Sequence, residues 1–338
     1  MNMSYRSLLP LMLALTASAM VASYSSAGNT GDSLSPVTVI FDTDLGNDID
    51  DLLAYQMLIN YEKSGKIKLA GTAVSKDNPL ALEAACRYYG CFGSGNPRFG
   101  TVIDGPNRDA GNYLLPVIEA LNNAAVSDSA HVGCGHSKGY EMMRRILSES
   151  PDSSVVIITT GPMVNLEALL RSVPDSVSDL DGIGLVSRKV RMLSVMGGDY
   201  TGTGTPEWNI LQSIGAAQYV MSAWPVKMVA SGFEVGNDVL YPHQRLESDF
   251  PANHPLRVGY EHFLDMPYDR PCWDLTSVLY AIEPDNGWFD LSEPGKVTVD
   301  FSGVTVFTPQ PDGRFRYLKL NGTDLSTVLA DRVKDRCE

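Results

Sequence analysis

The chain has 338 residues, 26 Lys and Arg against 40 Asp and Glu, and a formal net charge of −14. Such an acidic balance excludes a nucleic-acid partner, whose phosphates need clustered Lys and Arg, but leaves a small neutral substrate open. The length suits one large domain or two smaller ones, and a hydrophobic fraction of 44% is ordinary for a protein with a sizeable core.

Residues 1–27 read as an export signal. Arg6 supplies the positive start, residues 8–20 are largely apolar, and small residues such as Ala17, Ser18, Ala19, Ala22 and Ser23 follow. That is the pattern of a cleaved secretory segment, and the apolar run is short of the roughly 20 residues a membrane span needs. Cleavage is expected between Ala19 and Ala27, giving an exported (periplasmic or secreted) protein without stable membrane insertion. The five cysteines, Cys86, Cys91, Cys134, Cys272 and Cys337, leave at least one free thiol. No C-x-x-C pair is present, which argues against a zinc or redox motif, and a Cys86–Cys91 bridge is not expected.

A β-rich run at 37–41 precedes helical spacing over 50–62, whose acidic front suits the positive end of the helix dipole. A strand at 67–74, a helix at 79–89 with Pro79 in its first turn, and a short strand at 101–103 come next. Residues 104–137 are rich in Gly, Asn, Ser and Asp, apart from an apolar stretch at 113–121; helical spacing returns over 138–148. The near-continuous apolar run 154–159 (SVVIIT) is typical of a strand buried on both faces. Thr160-Gly161-Pro162 turns it into a helix at 164–171. Strands at 191–196 and 225–230 and helices at 254–264 and 274–282 continue the alternation. It predicts an open, mostly parallel, Rossmann-like α/β sheet flanked by helices over residues 35–290. Residues 291–338 change to alternating strands, with Asp312-Gly313 as a hairpin signal, and a short helix at 325–333. They read as a small C-terminal β-extension packed on the same domain.

Ligands of an open α/β sheet bind outside the carboxyl ends of its strands. Three unusual polar segments stand at such ends and should converge: FDTDLGNDIDD (41–51), TGPMVN (160–165) and GGD (197–199). The first holds Asp42, Asp44, Asp48, Asp50 and Asp51 directly after an apolar strand. A solvated acidic loop capping a helix is the plainest reading, but uncompensated like charge beside a buried sheet is costly. A helix-loop-helix calcium site fails, because Asn47 and Leu53 stand where that loop needs Gly and Glu. A phosphohydrolase of the haloacid-dehalogenase type would use Asp42 as nucleophile and Asp44 as acid/base, although Gly46 departs from its usual pattern. The remaining reading is a hard-cation site, in which a divalent ion neutralises the repulsion.

Four segments in order resemble one family, the inosine-uridine-preferring nucleoside hydrolases: DTDLGNDIDD, VVIITTGPMVNL (155–166), MGGDYTGTGTPEWNI (196–210) and WDLTSVLYAI (273–282). The first is similar to the variant of the signature with two extra residues before the paired aspartates. The resemblance implies Ca²⁺-dependent hydrolysis of the N-glycosidic bond of ribonucleosides, giving ribose and free base. Asp44 would bind Ca²⁺ and act as base for the attacking water. Asp51, Asp274 and the Thr160 carbonyl would complete the metal shell. Asp50, or Asp48 in its place, would hold a ribose hydroxyl; Glu207 and Asn209 would grip the sugar, and Asp77 or Asn78 would match a sugar-contacting Asn. Assembly as a homodimer or homotetramer is implied as well, though the sequence shows no readable interface.

Two departures matter. Trp273 stands where purine- and pyrimidine-preferring members carry a His that helps the base depart, and Trp could instead stack on the base. Thr203-Gly204 replaces a Gly-Asn, which removes another sugar contact. Tyr200 and Arg270 are further leaving-group candidates, while His131, His136, His243, His254 and His262 have no motif context. With the family His missing, a non-catalytic Ca²⁺-dependent nucleoside-binding or sugar-binding protein stays open beside the hydrolase.

Overall fold

Alternating strand and helix signals become alternating elements in the computed structural model, which describes residues 35–123 and 137–334. The expected export signal at 1–27, together with Cys134, Cys337, His131 and His136, lies outside the described residues. β1 (Val37–Thr43) leads through a short loop to α1 (Asp50–Lys63), which has Asp50 and Asp51 in its first turn and Lys63 in its last. Both placements complement the helix dipole. α1 is buried over most of its length, with Asp50, Asp51 and Gln56 among the buried residues. β2 (Ile67–Val74) and α2 (Pro79–Phe92) follow; Asn78 caps α2 by accepting from Leu80 N at 2.9 Å, and Pro79 opens it. Next come β3 (Arg98–Thr101), α3 (Leu114–Asn123) and α4 (Gly139–Glu149). β4 (Val155–Thr159) is buried at every position, and α5 (Val164–Arg171), α6 (Gly182–Lys189) and β5 (Val190–Met196) continue the alternation.

Beyond β5 lie α7 (Trp208–Gln212), α8 (Ile214–Ala223), β6 (Met228–Ser231), α9 (Phe233–Asn237), β7 (Leu240–Tyr241) and α10 (His243–Asp249). The chain then forms α11 (Pro255–Phe263), β8 (Arg270–Pro271), α12 (Trp273–Ile282), β9 (Phe289–Leu291), β10 (Gly295–Val299), β11 (Thr305–Pro309), β12 (Phe315–Leu320) and α13 (Leu325–Val333). Among the described residues no helix is long and apolar enough to cross a membrane.

The main sheet has ten strands in the order β11-β10-β12-β6-β5-β4-β1-β2-β3, with β9 added on β12. From β3 through β12 every neighbour pairs in parallel, while β9, β10 and β11 are antiparallel. Alternate residues feed opposite faces. Val39, Phe41, Val156 and Ile158 join a core with α1, α2, α3, α11 and α12, whereas Ile40, Val155 and Ile157 join one with α4, α5, α6 and α8. Strand order reverses at β1: β2 and β3 lie on one side, β4, β5 and β6 on the other.

The C-terminal strands depart from the expected hairpins. Asp312-Gly313 does not join paired strands, because β10 lies between β11 and β12. The true hairpin is β10–β11, closed by the Asp300 carboxylate, which accepts from Ser302 N at 2.8 Å and Val304 N at 3.0 Å. β12 crosses to the parallel edge and pairs with β6, so the extension enlarges the main sheet. α13 packs on α1, where Asn60 Nδ2 donates to the carbonyls of Arg332, Val333 and Lys334 at 2.9–3.0 Å. Cys86 is disulfide-bonded while Cys91 and Cys272 are free, so no Cys86–Cys91 bridge forms.

Leu329 of α13 is fully buried in the core shared with α1. Leu329→Ala should lower stability by about 2–5 kcal/mol, the usual cost of such a cavity. Chemical denaturation followed by far-UV circular dichroism should show one shifted transition; an extra early transition would mean that α13 unfolds separately.

Candidate active site

The reversal of strand order between β1 and β4 opens a crevice at the carboxyl edge of the sheet. Asp44 follows β1 there and Thr160 follows β4. Two helix N-termini meet them: Asp50 and Asp51 open α1, and Asp274 is the second residue of α12. Together with Glu207, Asn209 and Trp273 these residues line one cavity of about 390 Å³. A larger cavity, about 750 Å³, lies among Thr38, Lys68 and Arg98 near the starts of β1, β2 and β3, and contains none of them. Size alone therefore points away from the carboxyl edge of the sheet, where the crowded carboxylates stand.

Close backbone approach shapes the crevice. At Gly161 a Cβ would lie 2.4 Å from Ser75 Oγ and 2.9 Å from the Asp44 backbone nitrogen. Gly111 has φ of 66° and passes so near β1's loop that a Cβ would lie 2.1 Å from the Gly46 carbonyl oxygen. Only glycine fits there. Tyr113 fastens the same loop from below: its hydroxyl accepts from Gly46 N and donates to the Asp48 carbonyl, both at 2.7 Å.

The carboxylates are almost sealed from water, and each has its own partners. Asp44 accepts a short hydrogen bond from Asn47 Nδ2. Asp51 accepts from the hydroxyls of Thr43 and, at 3.3 Å, Thr160. Asp50 accepts from Asp274 N at 3.1 Å. Asp48 is engaged by the Arg270 guanidinium, which itself lies 5.0 Å from the Trp273 ring and 4.9 Å from the Phe263 ring. Asp48 is thus committed to a salt bridge, which leaves Asp50 the freer of the two for a ligand.

Glu207 caps α7 and accepts from Asn209 N at 2.8 Å, Ile210 N at 3.2 Å and Gly198 N at 3.2 Å. Asn209 Nδ2 donates to the Thr160 carbonyl at 3.0 Å and the Met196 carbonyl at 3.3 Å, tying the ends of β4 and β5. Trp273 Nε1 donates to the Phe233 carbonyl at 3.0 Å, and the two rings stack with centroids 5.5 Å apart. With its one N–H engaged, Trp273 lines the cavity without a free donor.

Burial raises the carboxyl pKa values first, and mutual repulsion raises most of them further. Asp44 is pushed up to about 6, against Asn47 and the Lys76 charge, which lower it. Glu207 rises to about 7. Asp50, Asp51 and Asp274 rise well above the ordinary carboxylate range, through burial and then the charges of their neighbours. Oxygens of Asp50, Asp51 and Asp274 lie within 4.8 Å of one another, and Asp274 Oδ2 is buried without a hydrogen-bond partner. An unpartnered oxygen amid crowded carboxylates fits a hard divalent cation, whose preferred ligands are carboxylates and carbonyls. Asp44 and Thr160 line the same cavity, and the Thr160 carbonyl is held there by Asn209 Nδ2.

Several expected residues sit elsewhere. Asp77 pairs with Arg108 at 2.8 Å and Asn78 caps α2; neither lines the cavity. Asp42 is held behind it by Thr159 Oγ1 at 3.0 Å and Asn165 Nδ2 at 2.8 Å, with its pKa raised to about 7 chiefly by burial. A nucleophile would need an open face that Asp42 lacks. Tyr200 donates to the Gly197 carbonyl at 3.1 Å and stacks on Tyr317, away from the cavity. His243 pairs with Asp269, His254 caps α11 and His262 meets the Val258 carbonyl, so no described histidine lines it either.

Other residues were not anticipated. Asn47, Asn107, Asp109, Trp208 and Phe233 line the cavity, and Lys76 is fully buried beside it. Asn47 lies inside the aspartate motif and Lys76 two residues beyond β2, so the rule of converging strand ends could have flagged both. Asn107 and Asp109 come from the Gly- and Asn-rich stretch after β3, which has no periodicity to read.

The model of the family described as inosine-uridine preferring nucleoside hydrolase matches residues 39–315. The pyrimidine-specific ribonucleoside hydrolase RihA of Enterobacter sp. (strain 638) is 28% identical over 213 residues, 56% of this chain and 59% of that protein. The chain thus spans under two thirds of the length of that relative. Among solved structures, the inosine-uridine preferring nucleoside hydrolase of Bacillus anthracis superposes with a TM-score of 0.67 at 18% identity, covering 88% of this chain and 99% of the other. The purine-preferring ribonucleoside hydrolase of Gardnerella vaginalis gives 0.67 at 16% identity, covering 88% and 98%. At such identities the two structures establish a shared fold.

Raised carboxyl pKa values favour the folded state when the carboxyls are protonated. Their stabilisation is full below the unfolded value of 3.8 and is lost as pH rises through about 6 for Asp44 and about 7 for Asp42. Asp175 and Glu283, both lowered to about 2, act in the opposite sense but only below their ordinary values of 3.8 and 4.5. Chelated protein should therefore melt at a lower temperature at pH 8 than at pH 5. Added divalent cation should raise the melting temperature more at pH 8, where the carboxylates are ionised. Thermal scans at the two pH values with chelator and with Ca²⁺ check this; an equal rise at both would count against the crowded carboxylates as the cation site.

Proposed function

The chain belongs to the inosine-uridine preferring nucleoside hydrolase family, and on that premise we propose that it hydrolyses the N-glycosidic bond of ribonucleosides in a Ca²⁺-dependent reaction, releasing ribose and free base. The observation that carries the reading is the cavity at the β1–β4 reversal, where Asp44, Asp50, Asp51 and Asp274 converge beside Thr160, Glu207 and Asn209. Asp44, Asp51, Asp274 and the Thr160 carbonyl are the proposed Ca²⁺ ligands. Bound there, the ion would lower the pKa of a coordinated water and orient the ribose hydroxyls.

Asp44 is the proposed general base. Its carboxyl lines the cavity beside Asp50, Asp51 and Asp274, where it would take a proton from the attacking water. Asp50, whose oxygens are freer than those of Asp48, would hold a ribose hydroxyl. Asn209 fixes the Thr160 carbonyl and, with Glu207, would orient the sugar. Departure of the base leaves positive charge on the ribosyl ring, and the ring of carboxylates stabilises it through a low-dielectric interior. Asp77 and Asn78, outside the cavity, carry no proposed sugar contact. Trp273 would meet the leaving base with its ring face, because its N–H is engaged by the Phe233 carbonyl. Export is part of the proposal, supported by the disulfide at Cys86, a bond of oxidising compartments.

Ribose release by the purified mature protein, assayed on a nucleoside panel with Ca²⁺ or chelator, tests this reading. Release should need Ca²⁺, and Asp44→Ala should lower kcat by about 10²–10⁴-fold, the usual worth of a general base. Tight Ca²⁺ binding without release from any nucleoside would replace the hydrolase reading with a binding role.

A further inference from the structure

Lys76 is one of the largest fully buried side chains of the protein, and no element of the proposed chemistry uses it. It stands two residues beyond β2, with its ammonium between the β1–α1 loop and the loop after β3. Nζ donates a short bond to Asn47 Oδ1 and a second, at 3.4 Å, to Asn107 Oδ1. Asn47 in turn donates from Nδ2 to Asp44 Oδ2. Asn107 has φ of 64°, a left-handed conformation that Asn tolerates, and its own Nδ2 has no partner. Lys76 is therefore what orients this second amide.

An ammonium has three donors and no acceptor, so it can hold an Asn side chain only by its oxygen. That removes the freedom of the Asn47 amide to flip. With Oδ1 fixed on Lys76, Nδ2 must point the other way, and there it meets Asp44. A methylene stem ending in a neutral group could fill the space but could not impose the choice.

We propose that Lys76 is a positioning residue, which acts through the amide of Asn47 to fix the carboxylate of Asp44 and uses Asn107 as its second anchor. The inference rests on the role given to Asp44 in the proposed hydrolase reaction. It predicts a relay, Lys76 to Asn47 to Asp44, in which the first member is silent once the second is gone.

A double-mutant cycle over Lys76→Met and Asn47→Ala tests the relay, read by calorimetric Ca²⁺ affinity and by kcat/KM for ribose release from a nucleoside substrate. Each single variant should lose about 10–100-fold in both, as supporting partners of metal ligands commonly do. The double variant should be no worse than the weaker single, within about threefold, because both act on one carboxylate. Wild-type values for Lys76→Met, or losses that multiply in the double variant, would overturn the proposal. Should Lys76→Met fail to fold, Lys76→Leu, which likewise removes every donor, carries the same cycle with the same expected losses. A wild-type protein that binds Ca²⁺ but releases no ribose would remove the hydrolase reading, and the calcium arm would then decide the role of Lys76 alone.

Discussion

Burial of like charge at one point governs this molecule. Asp42, Asp44, Asp50, Asp51 and Asp274 are each at most 3% exposed, and all have raised carboxyl pKa values. No fold tolerates such a group without directional compensation. The parallel sheet supplies it by stacking helix N-termini and strand ends at one edge: α1 and α12 present their first turns, and Thr43, Thr160, Asn47 and Asn165 present donors. What the donors leave uncovered, the unpartnered oxygen of Asp274 above all, is the part that asks for a cation.

Compensation is divided by depth. Asp42 is satisfied entirely from within the fold, by Thr159 and Asn165. Asp48, nearer the mouth, is neutralised by Arg270. Between them lie Asp44, Asp50, Asp51 and Asp274, whose partners are hydroxyls and amides without full charge. One linear motif thus holds a structural carboxylate, a salt-bridged one and cavity-facing ones, separated by the geometry of a strand end and a single loop.

Much of this was legible in the sequence, for particular reasons. β4 is a short apolar run typical of a strand buried on both faces, and α1 carries its acids where a helix dipole wants them. Carboxylates beyond β1 and Thr160 beyond β4 converge because the strands are parallel, whereas Gly197-Gly198-Asp199 beyond β5 stays outside the cavity lining and meets it only through the Gly198 N–H on Glu207. Less legible were α7, α8, α9 and α10, which are short or lack a clean apolar stripe, and α3, whose ten residues sit next to a Gly- and Asn-rich loop. β12 could not be read as a partner of β6, because parallel pairing over such a sequence distance leaves no local turn signal. Asp77 and Asn78 follow β2 as a sugar-contacting pair would, yet the loop after β3 claims Asp77 through Arg108 and the first turn of α2 claims Asn78. Lys76, one position earlier, is the residue of that turn that bonds to the cavity-lining Asn47 and Asn107.

α1 ends where it is least free to move. Its N-terminus bears Asp50 and Asp51, its flank packs on α12, and near its C-terminal end Asn60 holds the last carbonyls of α13. A surface helix can roll toward solvent to absorb a nearby insertion or a changed side chain. A helix enclosed on all sides can rotate only by displacing several neighbours at once. The two carboxylates at its first turn therefore inherit the narrow positional tolerance of a close-packed core rather than that of the loop that precedes them. Divergence within such a family would then be concentrated in the loops that cover the crevice, while the placement of the charges drifts little.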